Sequence, residues 1–169
     1  MKVRTRGWLF GGLAAGLLVS FHGASGQAPK ADDDTALTRT RAEVQKLDDL
    51  YKNAVVAITQ IYQEGPPAAK VAKAVFGAME KKGHHAARLV DATGSPLNEA
   101  NVPVTEFEKR AAKAMRDGQT IYEEVVGKGN ERRLLTATVV PAVLPRCASC
   151  HGVKEGELLG FIRYDVPVK

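Results

Sequence analysis

A five-residue motif, CASCH at positions 147–151, contains both cysteines of the chain and the last of its four histidines. Three kinds of chemistry use these residue types at this spacing. Two thiolates and an imidazole can bind a metal ion, two thiols separated by two residues can act as a redox dithiol, and a C-x-x-C-H sequence can attach a haem. The residues around the motif discriminate among the three.

A dithiol and a zinc site each explain the motif incompletely. A disulfide between Cys147 and Cys150 would close a very small loop, which stabilises little. A thioredoxin-like centre expects a helix to run on from the motif, whereas GVKEGE and a strand-like segment follow here. A zinc ion would need a fourth ligand, such as His84 or His85, and the adjacent Cys150 and His151 suit one tetrahedral ion poorly. Both alternatives remain open but are less favoured.

Covalent haem c accounts for every member of the motif. On a helical turn, positions three and four residues apart share one face, so Cys147, Cys150 and His151 can point to the same side. The two thiols would bond to the two vinyl groups of the porphyrin, and His151 would be the proximal iron ligand. The sequence therefore predicts one covalently attached haem c.

The N-terminus has the pattern of a secretory signal. Three basic residues precede an apolar run over residues 8–21, and small residues follow up to Gly26. The run is shorter than the ~20 residues that a spanning helix needs, so an uncleaved anchor is the less favoured alternative. Haem c is attached on the exported side of a membrane, and the predicted location is therefore periplasmic or exported. We expect a signal peptide at 1–26, a disordered polar tether at 27–35 and a single domain at 36–169.

The charge of the chain gives no support for nucleic-acid binding. There are 24 Lys and Arg residues against 19 Asp and Glu, a net charge of +5. Lys2, Arg4 and Arg6 lie in the signal segment, which has no acidic residue, so 21 basic and 19 acidic residues remain, a net of +2. No cluster of Lys and Arg with interleaved aromatic residues remains either. We expect no nucleic-acid partner.

Hydrophobic periodicity predicts an α+β fold in which N-terminal helices pack on a small antiparallel sheet. Thr105 followed by Glu108 forms a capping box that starts a third helix, with Phe107, Ala111 and Met115 facing inward. The predicted elements are a helix from about Ala36 to Gln63, a helix ending near Gly83 with Ala72, Val75, Phe76 and Met79 as its apolar stripe, a strand at 84–92, the third helix ending at Gly118, a hairpin of 122–126 and 132–140, and a strand at 158–168. In the first helix, the predicted inward residues are Leu47, Leu50, Tyr51, Ala54, Ile58, Ile61 and Tyr62.

The late position of the motif narrows the class of haem protein. Eighteen residues follow His151, and none of them is a methionine. A small electron-transfer cytochrome c usually has its haem motif early and a methionine ligand later, which this order excludes. The four-helix cytochromes c′ carry the motif near the C-terminus in a final helix, whereas LGFIRYDVPV after the motif is strand-like here.

From Val75 to Val168 the chain resembles exported c-type haem-binding domains with a PAS-like fold, a family long known as a domain of unknown function. The resemblance rests on the segment PLNEANVPVTEFE, the strand pair, the late CASCHG and the closing LGFIRYDVPV. It implies a redox or small-ligand (gas) sensor that works with a redox partner protein or a membrane signalling partner. The alternative is a periplasmic electron-transfer cytochrome. Some members use an upstream cysteine as the second iron ligand, but the haem consumes both cysteines of this chain.

The candidates for a second (distal) iron ligand are few. His85 would share a strand face with Ala87 and Leu89, whereas His84 would share one with Arg88. The face without the arginine is expected to be buried, so we favour His85, followed by Met79; an open or water-occupied site is the further alternative. His84 and Met115 complete the candidates. For the haem propionates, Arg146 beside the motif is favoured as a donor, with Arg88, Arg133 and Arg163 also available.

No second constellation of reactive residues is found in the sequence. There is no nucleophile–base pair, glycine-rich phosphate loop or acidic metal cluster. Haem chemistry belongs to the cofactor, while the protein sets its ligands and access. We therefore expect a protein that is not an enzyme.

Overall fold

One antiparallel sheet of four strands organises the computed structural model, which describes residues 30–61 and 67–169. The strand order is β1-β4-β3-β2, so the last strand of the chain lies between the first and the third. The elements are α1 (Lys30–Ile61), α2 (Ala68–Lys81), β1 (Ala86–Asp91), α3 (Glu106–Arg116), β2 (Ile121–Val126), β3 (Arg133–Pro141), α4 (Pro145–His151) and β4 (Leu158–Pro167). The predicted α+β class is confirmed, and the architecture is consistent with a PAS-like fold.

Two boundaries differ from the sequence prediction. Helix α1 begins at Lys30, so residues 30–35, predicted to be a disordered tether, are helical. Apolar periodicity cannot indicate a helix in such a polar segment. A helix that is already nucleated nevertheless extends through polar residues at little cost. Strand β1 begins at Ala86, so His84 and His85 precede it. The predicted signal peptide, residues 1–26, lies outside the described residues; within the described ranges, no helix is both long and apolar enough to cross a bilayer.

Helix α3 covers one face of the sheet. Thr105 and Glu108 form the predicted capping box: the Glu108 backbone N–H donates to the Thr105 hydroxyl, and the Glu108 carboxylate accepts from the Thr105 N–H. The Glu108 side chain is fully buried and pairs with Arg88 of β1 at 2.6 Å. The core on this face consists of Val90, Ala92, Phe107, Ala111, Ala112, Met115, Ala137 and Phe161.

Burial by itself favours the protonated form of Glu108. The hydrogen bond from Arg88 and the backbone N–H groups of Val104 and Thr105 oppose this effect and lower the pKa of Glu108. Arg88 also donates to the carbonyl oxygens of Ala100 and Val102. The pair therefore fixes the loop before α3 against β1.

Helices α1 and α2 cover the opposite face. Their core consists of Val44, Tyr51, Ala72, Phe76, Leu134, Ile162, Tyr164 and Val166. The predicted stripe of α1 is only partly right, because Leu50 and Ile61 are 62% and 73% exposed while Val44 is buried. On α2, Val75 is exposed as well. The inward face of α1 contains the polar residue Asp48, which apolar periodicity could not indicate.

Helix α4 forms within the connection between β3 and β4. Leu144 precedes it, Pro145 occupies its first turn, and Gly152 ends it with a left-handed backbone at φ 67°. Two backbone hydrogen bonds close the base of this connection: the Ala142 N–H donates to the Glu157 carbonyl at 2.8 Å, and the Gly156 N–H donates to the Ala142 carbonyl at 2.9 Å. The short helix is thereby held at one end of the β3–β4 pair.

Candidate functional site

The CASCH motif forms the last five residues of α4, as its predicted helical spacing requires. Ala148, the buried residue of this helix, packs toward the protein, and Cys147, Cys150 and His151 lie three and four positions apart. All three side chains line one cavity of about 370 Å³. Both cysteines are free thiols. The predicted juxtaposition of two thiols and one imidazole is thus present at a single cavity wall.

The cavity lies on the face of the sheet that α1 and α2 cover. The second half of α1 and the start of α2 form one side, the ends of β1, β3 and β4 form another, and α4 closes the third. Its size is within the ~300–1,000 Å³ typical of small-molecule sites. Apolar side chains dominate the lining and include Val55, Val56, Ile58, Leu89, Val140, Leu159, Phe161 and Ile162.

A few polar side chains interrupt this apolar lining. Lys52 of α1 forms an ion pair with Asp48 at 2.8 Å. Arg146 precedes the motif, and Asp91 accepts hydrogen bonds from the turn that follows β1. Asn101 also lines the cavity, and its buried Oδ1 has no hydrogen-bond partner within the protein. Buried acceptors are rarely left unsatisfied in native proteins, so this oxygen is available to accept a hydrogen bond from a bound molecule or water.

His85 does not line the cavity. It is buried, as predicted for its face, and its Nε2 lies 2.8 Å from the Tyr51 hydroxyl, with which it shares a hydrogen bond. Burial lowers the pKa of His85, which favours the neutral imidazole. Leu89, which does line the cavity, is four residues further along the chain, roughly 13 Å at about 3.3 Å per residue. The geometry therefore gives no support to His85 as a distal ligand.

The other three candidate ligands also lie elsewhere. Met115 is buried in the core beneath α3, on the opposite face of the sheet. Met79 is half-buried on α2, and His84 is exposed and borders a separate shallow depression with Glu43 and Arg39. Within the described part of the chain, His151 is the single histidine in the cavity lining, and no methionine joins it.

Only one of the four arginines considered for the propionates reaches this cavity. Arg146 lines it. Arg88 is bound to Glu108, while Arg133 and Arg163 both pair with Asp165. Side chains on a β-strand alternate between the two faces of the sheet, and the face that each one takes is fixed only when the strands pair. The sequence alone could therefore not assign these arginines to a face.

The residues present fit a covalently attached porphyrin. Two free thiols and an imidazole share one wall, and the remaining walls are apolar with a few polar side chains. A metal ion held by protein side chains alone fits less well, since no group of three or more His, Cys, Asp or Glu residues suitable for a metal occurs in residues 30–61 and 67–169.

Fold and site together define an α+β domain with a C-x-x-C-H motif beside an apolar cavity. Residues 22–162 match the model of the Tll0287-like family, which covers most of the chain, and the chain belongs to that family. The family resemblance inferred from the order of sequence features is thereby confirmed. A solved structure, the cyanobacterial heme-protein Tll0287, is similar with 16% identity and a TM-score of 0.47, over 83% of this chain and 97% of that chain. No curated protein sequence gives a significant match.

Proposed function

We propose that this protein is an exported, periplasmic c-type haem protein. Cys147 and Cys150 form thioethers with one haem, and His151 is its proximal iron ligand. The observation that carries the proposal is that these three side chains, brought together by α4, line a single apolar cavity. Membership of the Tll0287-like family, and the description of one similar structure as a heme-protein, also support it.

We propose further that the haem serves as a redox or small-ligand sensor and not as a catalyst. A bound haem supplies an iron with axial positions that the protein either fills or leaves accessible. None of His84, His85, Met79 or Met115 lines the cavity, which favours an accessible second position. The alternative function is electron transfer with a partner protein. The exposure of Cys150 and His151, which also line the cavity, favours this alternative.

Covalent attachment can be tested directly. The full chain is expressed with a cytochrome c maturation system, separated by denaturing electrophoresis and stained for haem. We expect one haem per chain, and we expect Cys147→Ala/Cys150→Ala to lose it. Ser149→Ala, in the same helix turn and exposed, is the matched control and keeps its haem. A colourless wild-type protein with two titratable thiols would refute the proposal.

The sensor and carrier functions differ in two measurements on the haem-loaded protein. An accessible iron position predicts a high-spin ferric spectrum and binding of CO after reduction. A sensor also requires a conformational equilibrium that ligand or redox state shifts, since only differential affinity can shift it. We therefore expect hydrogen exchange in α1 and α2, which cover the cavity, to change with CO. A six-coordinate low-spin iron, identical exchange in all states and rapid electron exchange with a small cytochrome would decide for the carrier.

A further inference from the structure

Asp48 is the centre of a polar cluster between α1 and the sheet. Its Oδ1 accepts hydrogen bonds from the Thr138 hydroxyl at 2.5 Å and the Tyr164 hydroxyl at 3.0 Å. Its Oδ2 accepts from the Lys52 ammonium at 2.8 Å. Tyr164 is fully buried and Thr138 nearly so. The carboxylate therefore has three donors from three different elements, which hold it in one place.

The hydrogen bonds from these three donors replace the water that would otherwise solvate the Asp48 carboxylate. Burial, together with the charge of Asp48, raises the pKa of Tyr164, so its hydroxyl remains protonated and donates. The Asp48 side chain is 16% exposed, and a carboxylate withdrawn from water to this extent is costly unless such partners compensate it. An apolar residue at this position would leave the buried Tyr164 and Thr138 hydroxyls without this acceptor, so Asp48 serves the core as well as its ion pair with Lys52.

Lys52 connects this cluster to the cavity. It is one turn beyond Asp48 on α1, its side chain is 30% exposed, and it lines the cavity that contains Cys147, Cys150 and His151. Of the other charged groups in the lining, Asp91 is bound by Thr93 and Gly94, and Arg146 belongs to the motif helix. Lys52 therefore brings the positive end of a fixed ion pair to the wall formed by α1.

We infer that Lys52 and Asp48 shift the reduction potential of the haem in this cavity in opposite directions, with Asp48 acting as a positioning residue for Lys52. The inference rests on the proposed haem attachment. A ferric haem carries one more positive charge than a ferrous haem, so nearby cations favour reduction and nearby anions oppose it. Charges act more strongly across an apolar wall than across water. The paired charges offset each other, and the removal of either one leaves the other uncompensated.

The test is potentiometric titration of haem-loaded variants at one pH and ionic strength. Asp48→Asn leaves the ammonium unopposed, and the midpoint potential rises. Lys52→Met leaves the carboxylate unopposed, and the potential falls. The double variant Asp48→Asn/Lys52→Met lies between the two, close to the wild type. A purely structural role would loosen the cavity in both single variants and shift both potentials in the same direction.

Two further variants keep the test decisive if Asp48→Asn does not fold. Lys52→Arg preserves the charge and keeps the wild-type potential, whereas Lys52→Met lowers it. Glu123→Gln is the matched control, because it removes a carboxylate that pairs with Arg41 of α1 away from the cavity, and its potential stays unchanged. Equal potentials for Lys52→Met and Lys52→Arg, or a change of iron spin state in Lys52→Met, would overturn the inference. Haem staining of every variant separates this failure from failure of haem attachment itself.

Discussion

One face of the sheet holds a fully buried carboxylate and the other a partly buried one, and hydrogen bonds stabilise the two in different ways. Beneath α3, Glu108 accepts from backbone N–H groups of its own helix start and from Arg88 on the adjacent strand. Beneath α1, Asp48 accepts from Thr138 and Tyr164, which are 90 and 116 residues away in the chain. The first arrangement is mostly local, and the second depends on the assembled sheet.

The surroundings of the two carboxylates also differ. Alanine and aromatic side chains fill much of the α3 face, and of its core residues Val90 and Phe161 also line the cavity. On the other face, α1 and α2 converge on Tyr51 and Phe76 but leave the end near α4 open. Both faces therefore contain a packed core, and the face covered by α1 and α2 also borders the cavity. Changes on the two faces should accordingly separate stability from haem content.

The largest loss of stability is expected from Glu108→Ala. It removes a fully buried carboxylate, leaves Arg88 without its charged partner and breaks the capping box of α3. We expect the free energy of unfolding to fall by about 3 kcal/mol, measured by urea denaturation. Glu106→Ala, in the same helix turn but exposed and paired only with Lys109, is the control and should leave stability unchanged. Equal losses in both variants would mean that burial of the pair is unimportant.

A smaller effect is expected at the Tyr51–His85 pair, on the cavity face but away from the cavity. Tyr51→Phe leaves His85 without its partner and should cost about 1–2 kcal/mol at pH 7.5, whereas Tyr51→Phe/His85→Leu replaces both polar groups and should cost less.

The same pair predicts a pH dependence of stability. The pKa of His85 is lowered in the folded protein, so below about pH 6.5 the unfolded chain binds a proton there that the folded chain resists. The stability contributed by neutral His85 is therefore present above that pH and is lost as pH falls toward the folded pKa. Between pH 7.5 and 5, urea denaturation should show a smaller loss for the double variant than for the wild type. His84→Gln, at an exposed position, should follow the wild type; parallel profiles for all three would refute the prediction.

The local parts of the fold could be predicted from sequence. The capping box at Thr105 and Glu108 and the hairpin of β2 and β3 are encoded within a few residues, and the structure contains both. The inward face of α1 was only partly predicted, because apolar residues on that helix outnumber the positions that the sheet can cover. Leu50 and Ile61 are exposed for this reason. Asp48 faces inward because its carboxylate accepts hydrogen bonds from the hydroxyls of Thr138 and Tyr164, which lie on two strands distant in sequence.

The candidate site also has one part that could be predicted from the sequence and one part that could not. The grouping of Cys147, Cys150 and His151 follows from helical spacing and could be predicted. The opposite wall could not, since Lys52 and Asn101 reach the cavity only through the packing of α1 and the loop before α3. His85 is buried as predicted, but it precedes β1, so strand alternation is not the reason for its burial. The sequence pattern also does not give the position of His85 relative to α4, and that position keeps His85 out of the cavity lining.

The smallest change in stability, with the largest change in haem content, is expected from Val56→Phe. Val56 lines the cavity, so a larger side chain occupies reserved volume without overpacking the core, and the free energy of unfolding should change by less than about 1 kcal/mol. Haem staining and absorbance per chain should nevertheless fall to a small fraction of the wild-type value. The matched change on the other face is Ala112→Leu, which overpacks a filled core and should cost about 1–3 kcal/mol while the folded protein keeps its haem. If Val56→Phe retained full haem content, the cavity beside α4 would not be the volume that the haem occupies, and the functional difference between the two faces would have to be abandoned.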